Sequence, residues 1–291
     1  MAILSVQSHV AYGNVGNRAA VFPLELLGFD VWPINTVQFS NHTGYGSWKG
    51  EVFTAAHVRG IWAGIKELGV AGQCEAVLSG YLGDAAIGEA ILEAVSDVRA
   101  AGTRTLYCCD PVMGDSGKGL YVREELVGFF RDRAIPRADI VTPNHYEAEL
   151  LSGMEIRSIG DAALAADRIH ALGPSIVLVT SFRPRDLPSG HISMFLSAAG
   201  RTWTIETEEV PMAPMPNGGG DLTAALFLGH YLKHRDAALA LEEMTNAVFE
   251  VFAATKRAGA RELRIVQSRD AMAEPGHRFS AVERFLHTKK S

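Results

Sequence analysis

The sequence predicts an α/β fold: a mostly parallel central sheet with helices on both faces and a short β-hairpin late in the chain. Three observations lead there. Brief runs rich in Val, Ile and Leu alternate with longer stretches whose apolar residues fall three and four apart. The brief runs are apolar at consecutive positions, as strands buried on both faces should be. Strand and helix patterns follow one another singly, the rhythm of parallel βαβ units rather than of a meander.

Taken in order, Ile3–Val6 reads as the first strand and Asn17–Leu27 as the helix that follows, closed by Gly28. Val31–Phe39 and Val52–Leu68 form the next pair, ending at Gly69, and Ala76–Leu82 with Ala85–Ala100 the third, ending before Gly102. Thr105–Val112 is followed by a helix at Arg123–Arg131, and Asp139–Thr142 by a short helix at His145–Leu151. Ala162–Leu172 is a helix stopped by Gly173, and Ser175–Ser181 is the sixth strand. The rhythm then changes. His191–Ser197 and Arg201–Val210 flank Ala198-Ala199-Gly200, which reads as a hairpin. Leu222–Lys233 and Leu241–Ala258 are long helices and Ser280–Leu286 a short one, while the basic end at Lys289-Lys290 is expected to fray. With no Pro/Ser linker, repeat or low-complexity tract, one domain over residues 1–291 is expected.

Composition narrows the function classes. A chain of 291 residues buries roughly 75% of its unfolded surface and needs no disulfide or metal to fold. With 47% hydrophobic and 21% charged residues it is not a disordered protein. The net charge of −6 argues against a nucleic-acid partner, though it leaves a phosphorylated ligand open. Three cysteines, Cys74, Cys108 and Cys109, form no CxxC and cannot build a secreted disulfide framework. Cys108 and Cys109 sit inside a strand pattern and read as inert core thiols. No apolar run reaches the roughly 18 residues of a membrane span, and the opening MAILSV lacks a signal sequence's basic flank. The expected setting is cytoplasmic, with no membrane partner.

In open α/β sheets ligands bind beyond the carboxyl ends of the strands. Polar residues and glycines crowd there: Gln7-Ser8-His9, Ser40 to Tyr45, Gly80-Tyr81, Asp110 to Asp115, Thr142 to Glu147, and Thr180-Ser181. The sharpest feature is Asn217-Gly218-Gly219-Gly220-Asp221, opening a helix. Glycines let successive amides turn to one point, and the helix dipole favours an anion there. A carboxylate beside such a site is repelled by the anion unless it serves as a base, taking a proton from a hydroxyl while the amides hold the group being attacked. An ordinary helix cap is the bland alternative for this loop. Asp110, Asp115 and Glu147 could carry Mg²⁺ directly or through water. Taken alone, Asp110 reads as a strand–turn cap and Glu147 as a solvent-facing helix residue.

Other motifs read as ordinary structure. Gly114 to Gly119 has the wrong spacing for a P-loop, and Gly13 to Gly16 the wrong spacing for a dinucleotide loop. His230 and His234 lie one helical turn apart with no third ligand evident in sequence, and read as a surface face near a helix C-terminus.

The residues that carry these features resemble the vitamin B6 kinases, the pyridoxal kinase branch of the ribokinase superfamily. The resemblance rests on Gln7-Ser8-His9-Val10 with Gly13 and Val15 to Ala20, on Val37-Gln38-Phe39-Ser40-Asn41-His42-Thr43-Gly44-Tyr45, and on Ser79-Gly80-Tyr81. It continues through Asp110-Pro111-Val112-Met113-Gly114-Asp115, Thr142-Pro143-Asn144 with Glu147 to Leu151, and the glycine loop, spanning most of residues 1–260. It implies a ribokinase-like fold and ATP-dependent phosphorylation of the 5′-hydroxymethyl group of pyridoxal, or of pyridoxine and pyridoxamine. A hydroxymethylpyrimidine or sugar kinase of the same superfamily is the nearest alternative, and a non-catalytic B6-binding protein a more distant one. The resemblance gives Asp221 the role of base, with Gly218, Gly219 and Gly220 at the transferred phosphoryl group. It places Ser8, Thr43, Gly44, Tyr81 and Asp221 around the pyridine substrate. It assigns Asp110, Asp115, Thr142, Asn144, Glu147, Thr180, Ser181, Gly218 and Gly220 to ATP, with Mg²⁺ on Asp110, Asp115 and Glu147. A monovalent cation and a homodimer also belong to the family pattern. The chain departs from that pattern at Gly219, where relatives usually have Thr, at Asn14, where many have His, and over the Pro-rich segment Val210 to Asn217.

Overall fold

The computed structural model describes residues 1–102 and 105–285. Strand β1 (Ala2–Tyr12) leads into helix α1 (Asn17–Leu26) and strand β2 (Asp30–Asn41). A short strand β3 (Gly50–Val52) precedes α2 (Ala55–Glu67), then β4 (Cys74–Ser79), α3 (Ala85–Ala100) and β5 (Leu106–Cys109). A small hairpin, β6 (Gly114–Asp115) and β7 (Gly119–Leu120), and α4 (Glu124–Phe129) lead to β8 (Ile140–Val141). Then come α5 (His145–Ser152), α6 (Ile159–His170) and β9 (Ile176–Phe182). Strands β10 (His191–Ala198) and β11 (Arg201–Glu208) are followed by α7 (Gly219–His234), α8 (Ala237–Arg257), α9 (Arg269–Ala273) and β12 (Val282–Glu283).

Ten strands form one sheet in the order β12-β11-β10-β9-β8-β5-β4-β1-β2-β3. The six from β9 across to β2 are parallel, so their carboxyl ends share one edge of the sheet. The chain runs from β1 outward to β2 and then back past β1 to β4, which makes β1/β4 the topological switch point where a ligand crevice is expected.

Side-chain alternation explains why both faces are covered. Leu4, Val6, Val77, Val141, Val177 and Val179 point into the core beneath α2 to α6. Ile3, Ala76, Leu78, Ile140, Ile176 and Leu178 point to the opposite core beneath α1, α7, α8 and α9. Helix α7 is buried without interruption from Leu222 to His230, which suits a helix clamped between the sheet and α8. Among the described residues no helix is long and apolar enough to cross a membrane.

The expected hairpin is present, with Ala198 paired to Arg201 across Ala199-Gly200. Both turn residues have positive φ, 52° and 74°, as a two-residue turn matched to strand twist requires. Two expectations are corrected. The predicted helix Val52–Leu68 begins later, because Gly50–Val52 pairs antiparallel with β2 and Thr54 then caps α2. The predicted helix at Ser280–Leu286 is instead the edge strand β12, with Val282 opposite Thr204 and Glu283 opposite Trp203. The open edge of β11 offers unpaired backbone groups, and the Arg284 N–H satisfies the Thr202 carbonyl at 2.8 Å. Leu286 and Lys289-Lys290 lie outside the described residues.

Candidate active site

The glycine loop sits where the turn after β1 meets the start of α7. Gly218 caps α7 with φ 90°, and a Cβ there would stand 1.8 Å from the Asn14 carbonyl oxygen. Gly16, with φ 54°, would likewise press a Cβ to 2.1 Å from the Ser8 carbonyl oxygen. Only glycine allows these two turns to approach so closely. The approach brings the Gly16 amide to the Asp221 carboxylate, in the first turn of α7. Burial raises the Asp221 pKa, with the Gly16 N–H acting against that rise. As a residue Asp221 keeps partial exposure. The first-turn amides of α7 have no acceptor within the helix, as at any helix start.

Across the crevice lies an acidic group. Asp110 follows β5, is buried, and accepts a hydrogen bond from Thr142 Oγ1 at 3.2 Å. Burial drives its pKa well up, and the charges of Glu147 and Asp221 add to the rise. Glu147, expected to face solvent when taken alone, is instead 3% exposed. Its Oε1 accepts from the Met113 and Gly114 amides at 2.8 and 3.3 Å, and its Oε2 from the Asn144 amide at 2.9 Å. Asn144 returns the bond to the Glu147 amide, completing a capping box on α5, and its Nδ2 donates to Gly114 O at 2.7 Å. Glu147 and Asn144 therefore fasten the Asp110–Asp115 loop to α5. Burial holds the Glu147 pKa up at about 7 despite these amides. Asp115 is exposed and accepts from the Gly117 amide at 3.0 Å. Among the described residues no ion pair involves Asp110, Glu147 or Asp221. The three carboxylates and their shared repulsion suit a hard divalent cation, and Asp110 Oδ2 lies outside the bond to Thr142.

Thr180 is buried, bridges to Asn144 and donates its amide to Pro143 O at 2.8 Å. Ser181 is exposed with φ 51°, a left-handed conformation that a serine adopts only at a cost. Ser8 and Tyr81 are half-buried on either side of the switch point, and burial raises the Tyr81 pKa. Thr43 and Gly44 are exposed on the loop after β2, and a Cβ on Gly44 would lie 3.6 Å from Asn217 Nδ2. Gly16 thus stands against Ser8 and the Asp221 carboxylate, Gly44 near Asn217, and Asp110 beside Thr142 and within the field of Asp221.

Sequence reasoning missed the segment after α8. Tyr45 Oη donates to Glu262 Oε1 at 2.5 Å, and Glu262 Oε2 accepts from the Asn14 amide at 3.1 Å. Asn14 Nδ2 donates to Leu263 O at 2.8 Å, and Arg261 lies 3.6 Å above the Tyr45 ring. No local pattern in the sequence marks these residues, since ordinary charged positions reach the site only through the path of the chain. A second correction concerns His230, which is 1% exposed rather than on a surface face. Its third neighbour is Glu243 of α8, 2.7 Å from His230 Nδ1 and 2.9 Å from His234 Nε2. The three cysteines are buried and burial raises their pKa values, in keeping with the reading of Cys108 and Cys109 as inert core thiols.

Comparison with known proteins bears on the chain as a whole. A family model described as phosphomethylpyrimidine kinase matches residues 58–264. The chain is 51% identical to pyridoxal kinase PdxY of Rubrobacter xylanophilus, over 95% of each protein. It is 48% identical to pyridoxal kinase PdxY of Granulibacter bethesdensis, over 97% of this chain and 99% of that protein. Among solved structures, pyridoxal kinase from Leishmania donovani in complex with ADP and pyridoxine superposes with a TM-score of 0.90 at 33% identity, covering 98% of this chain and 99% of that one. Plasmodium falciparum PdxK with the ligands AMP-PNP and PL superposes with a TM-score of 0.85 at 25% identity, covering 98% and 99%.

Proposed function

The chain belongs to the pyridoxal kinase family, and on that premise we propose that it transfers the γ-phosphoryl group of ATP to the 5′-hydroxymethyl group of pyridoxal. The observation that carries this reading is the Asp221 carboxylate set one step behind the glycine amides at the start of α7. Asp221 takes the hydroxyl proton, the freed oxygen attacks the γ-phosphorus in line, and ADP departs with the electrons of the broken P–O bond. The amides of Gly218, Gly219 and Gly220 face the charge that develops on the transferred group. The raised pKa of Asp221 moves it toward the range where a general base works best.

Ser8, Thr43, Gly44 and Tyr81 offer short polar groups and an aromatic wall to the pyridine ring. Asp110, Thr142, Thr180 and Ser181 line the nucleotide side of this reading, and Asp110 with the charge of Glu147 would hold Mg²⁺. Asp115, exposed at the β6–β7 turn, joins them as that turn closes over the phosphates. Asn144 and Glu147 act by fixing the loop, because their side chains are already committed to backbone groups. Bound Mg²⁺ would neutralise the phosphates and polarise the γ-phosphoryl group. A single catalytic unit, a homodimer and a cytoplasmic setting complete the reading.

The family model's description keeps a hydroxymethylpyrimidine substrate as the second reading. Labelled phosphate transfer from ATP to pyridoxal, pyridoxine, pyridoxamine, hydroxymethylpyrimidine and ribose decides between them. The expected result is preference for the B6 vitamers and a loss of about 10²- to 10⁴-fold in kcat for Asp221→Asn, with pyridoxal still bound. Equal use of all acceptors, or near-normal turnover in the variant, overturns the proposal; no transfer at all favours a B6-binding protein.

A further inference from the structure

Helix α7 carries chemistry at its far end that the phosphoryl transfer does not use. His230 and His234 are four residues apart and so share a face, with rings nearly parallel at 6° and centroids 6.5 Å apart. Glu243 on α8 projects to the same point, its Oε2 lying 2.7 Å from His230 Nδ1 and 2.9 Å from His234 Nε2. One ligand atom from each of the three residues lies within 4.8 Å of the others. His230 is 1% exposed; its Nδ1 lies close to Glu243 Oε2 without good hydrogen-bond alignment, and its Nε2 has no hydrogen-bond partner.

That combination is poor for a simple imidazole–carboxylate pair. A buried imidazole normally satisfies its nitrogens, and leaving Nε2 unmet with Nδ1 poorly aligned costs free energy. Proximity without hydrogen-bond alignment is the arrangement expected of ligands grouped around a shared ion. We propose that His230, His234 and Glu243 form a binding site for one divalent transition-metal cation of the zinc class. Two imidazoles and a carboxylate are a zinc-type donor set, whereas Mg²⁺ and Ca²⁺ prefer oxygen throughout. His234 and Glu243 remain partly exposed, at 31% and 21%, which gives the ion an entry path and a fourth position for water.

The site lies away from the phosphoryl transfer. His230 stands nine positions after Asp221 along α7, roughly 14 Å at the α-helical rise, too far for contact with the reacting atoms. The bound ion cross-links α7 to α8 and so braces the helix whose first turn presents Asp221.

The test uses the full chain stripped with chelator and then titrated with Zn²⁺ against a chromophoric competitor. The wild-type protein is expected to bind one equivalent more than His234→Ala or Glu243→Gln, two partly exposed positions chosen so that folding survives in at least one variant. At a hundredfold excess over Kd, Zn²⁺ is expected to raise the wild-type Tm by about 5 °C, an increase absent from both variants. Co²⁺ in place of Zn²⁺ is expected to give the visible absorption of a four-coordinate ion in the wild type alone. Equal stoichiometry in all three proteins, or no binding to the wild type, overturns the assignment; Mg²⁺-dependent kinase activity in the variants separates this outcome from a failure of the catalytic reading.

Discussion

Tyr45 Oη donates a 2.5 Å hydrogen bond to Glu262 Oε1, and this contact joins the loop after β2 to the segment that follows α8. The other Glu262 oxygen accepts from the Asn14 amide at 3.1 Å, so one carboxylate spans the loop and the turn after β1. Arg261 covers the Tyr45 ring at 3.6 Å, adding a cation–π contact to the same latch. Burial and the Glu262 carboxylate both raise the Tyr45 pKa, so the phenol stays a donor throughout the working range.

This latch holds the loop that carries Thr43 and Gly44, which the proposed function assigns to the pyridine substrate, so its loss is expected to act on substrate binding. Tyr45→Phe removes one hydrogen bond to a charged acceptor, worth about 1.5 kcal/mol or somewhat more, and is expected to raise KM for pyridoxal by about tenfold. Turnover at saturation should stay within about twofold, since a tenfold effect corresponds to about 1.4 kcal/mol and none of it falls on the transition state alone. Steady-state kinetics with pyridoxal varied at saturating ATP checks this. A fall in kcat with KM unchanged would mean that the latch positions the reacting atoms instead.

Two neighbouring glycines are expected to respond in opposite ways. At Gly218 an added Cβ meets a backbone oxygen at 1.8 Å, and φ is 90°. Gly218→Ala is therefore expected to lose more than about 2 kcal/mol of stability. At Gly220 nothing lies within 4 Å, and the residue sits in the first turn of α7. Gly220→Ala is expected to hold or raise stability by about 0.5 to 1 kcal/mol, because alanine loses less backbone entropy. If the amides there cradle the nucleotide phosphates, the same variant weakens ATP. Thermal melts and KM for ATP, measured on both variants, check the pair; a Gly220→Ala protein with lower Tm and unchanged KM would contradict both halves.

The acidic crevice sets a direction for pH dependence. Glu147 has a pKa near 7 in the folded chain, above its ordinary 4.5. Between those values the folded chain binds more protons than the unfolded chain, so this group's contribution to stability is greatest below about 4.5 and declines as pH rises through about 7. Asp110 moves in the same direction. A divalent cation relieves the charge that deprotonation leaves behind, so Mg²⁺ is expected to raise Tm more at about pH 8 than at about pH 6. Removing Mg²⁺ with chelator should return the pH 8 sample to its lower Tm. Melting curves across this range, with and without Mg²⁺, read the effect; a gain that shrinks as pH rises would place the cation elsewhere.

The sequence made legible what is set locally. Consecutive apolar runs marked the parallel strands, Ala199-Gly200 marked the hairpin turn, and the run from Asn217 to Asp221 marked the helix start, since each depends on residues adjacent in the chain. The Asp110 and Thr142 positions were legible for a different reason: once the strands are parallel, their carboxyl ends must share an edge. Burial of Glu147 was not legible, because it depends on Met113 and Gly114 folding back onto α5. Nor was Glu262, which reaches Asn14 across 248 residues of chain. The pair His230 and His234 was visible as a helical repeat, but Glu243 comes from the next helix, and its register against α7 is a matter of packing. Strand β12 escaped because two residues on an open edge carry no periodicity.

Gly219 carries the last prediction, because its neighbour accounts for the departure from the threonine usual in relatives. A Cβ at this position would stand 2.8 Å from Phe252 Cζ, with Cε2 at 3.3 Å. Phe252, partly buried on α8, already occupies the space a side chain at 219 would need. Gly219→Thr alone is therefore overpacked and expected to cost about 1 to 3 kcal/mol. Phe252→Ala alone leaves a gap and is also expected to destabilise. Together the two changes relieve one another, since the smaller residue on α8 admits the threonine, and the coupling energy from a double-mutant cycle should exceed about 1 kcal/mol. Denaturant unfolding of the four proteins measures it. Additive losses would mean that the ring turns aside freely and that Phe252 plays no part in keeping glycine at 219.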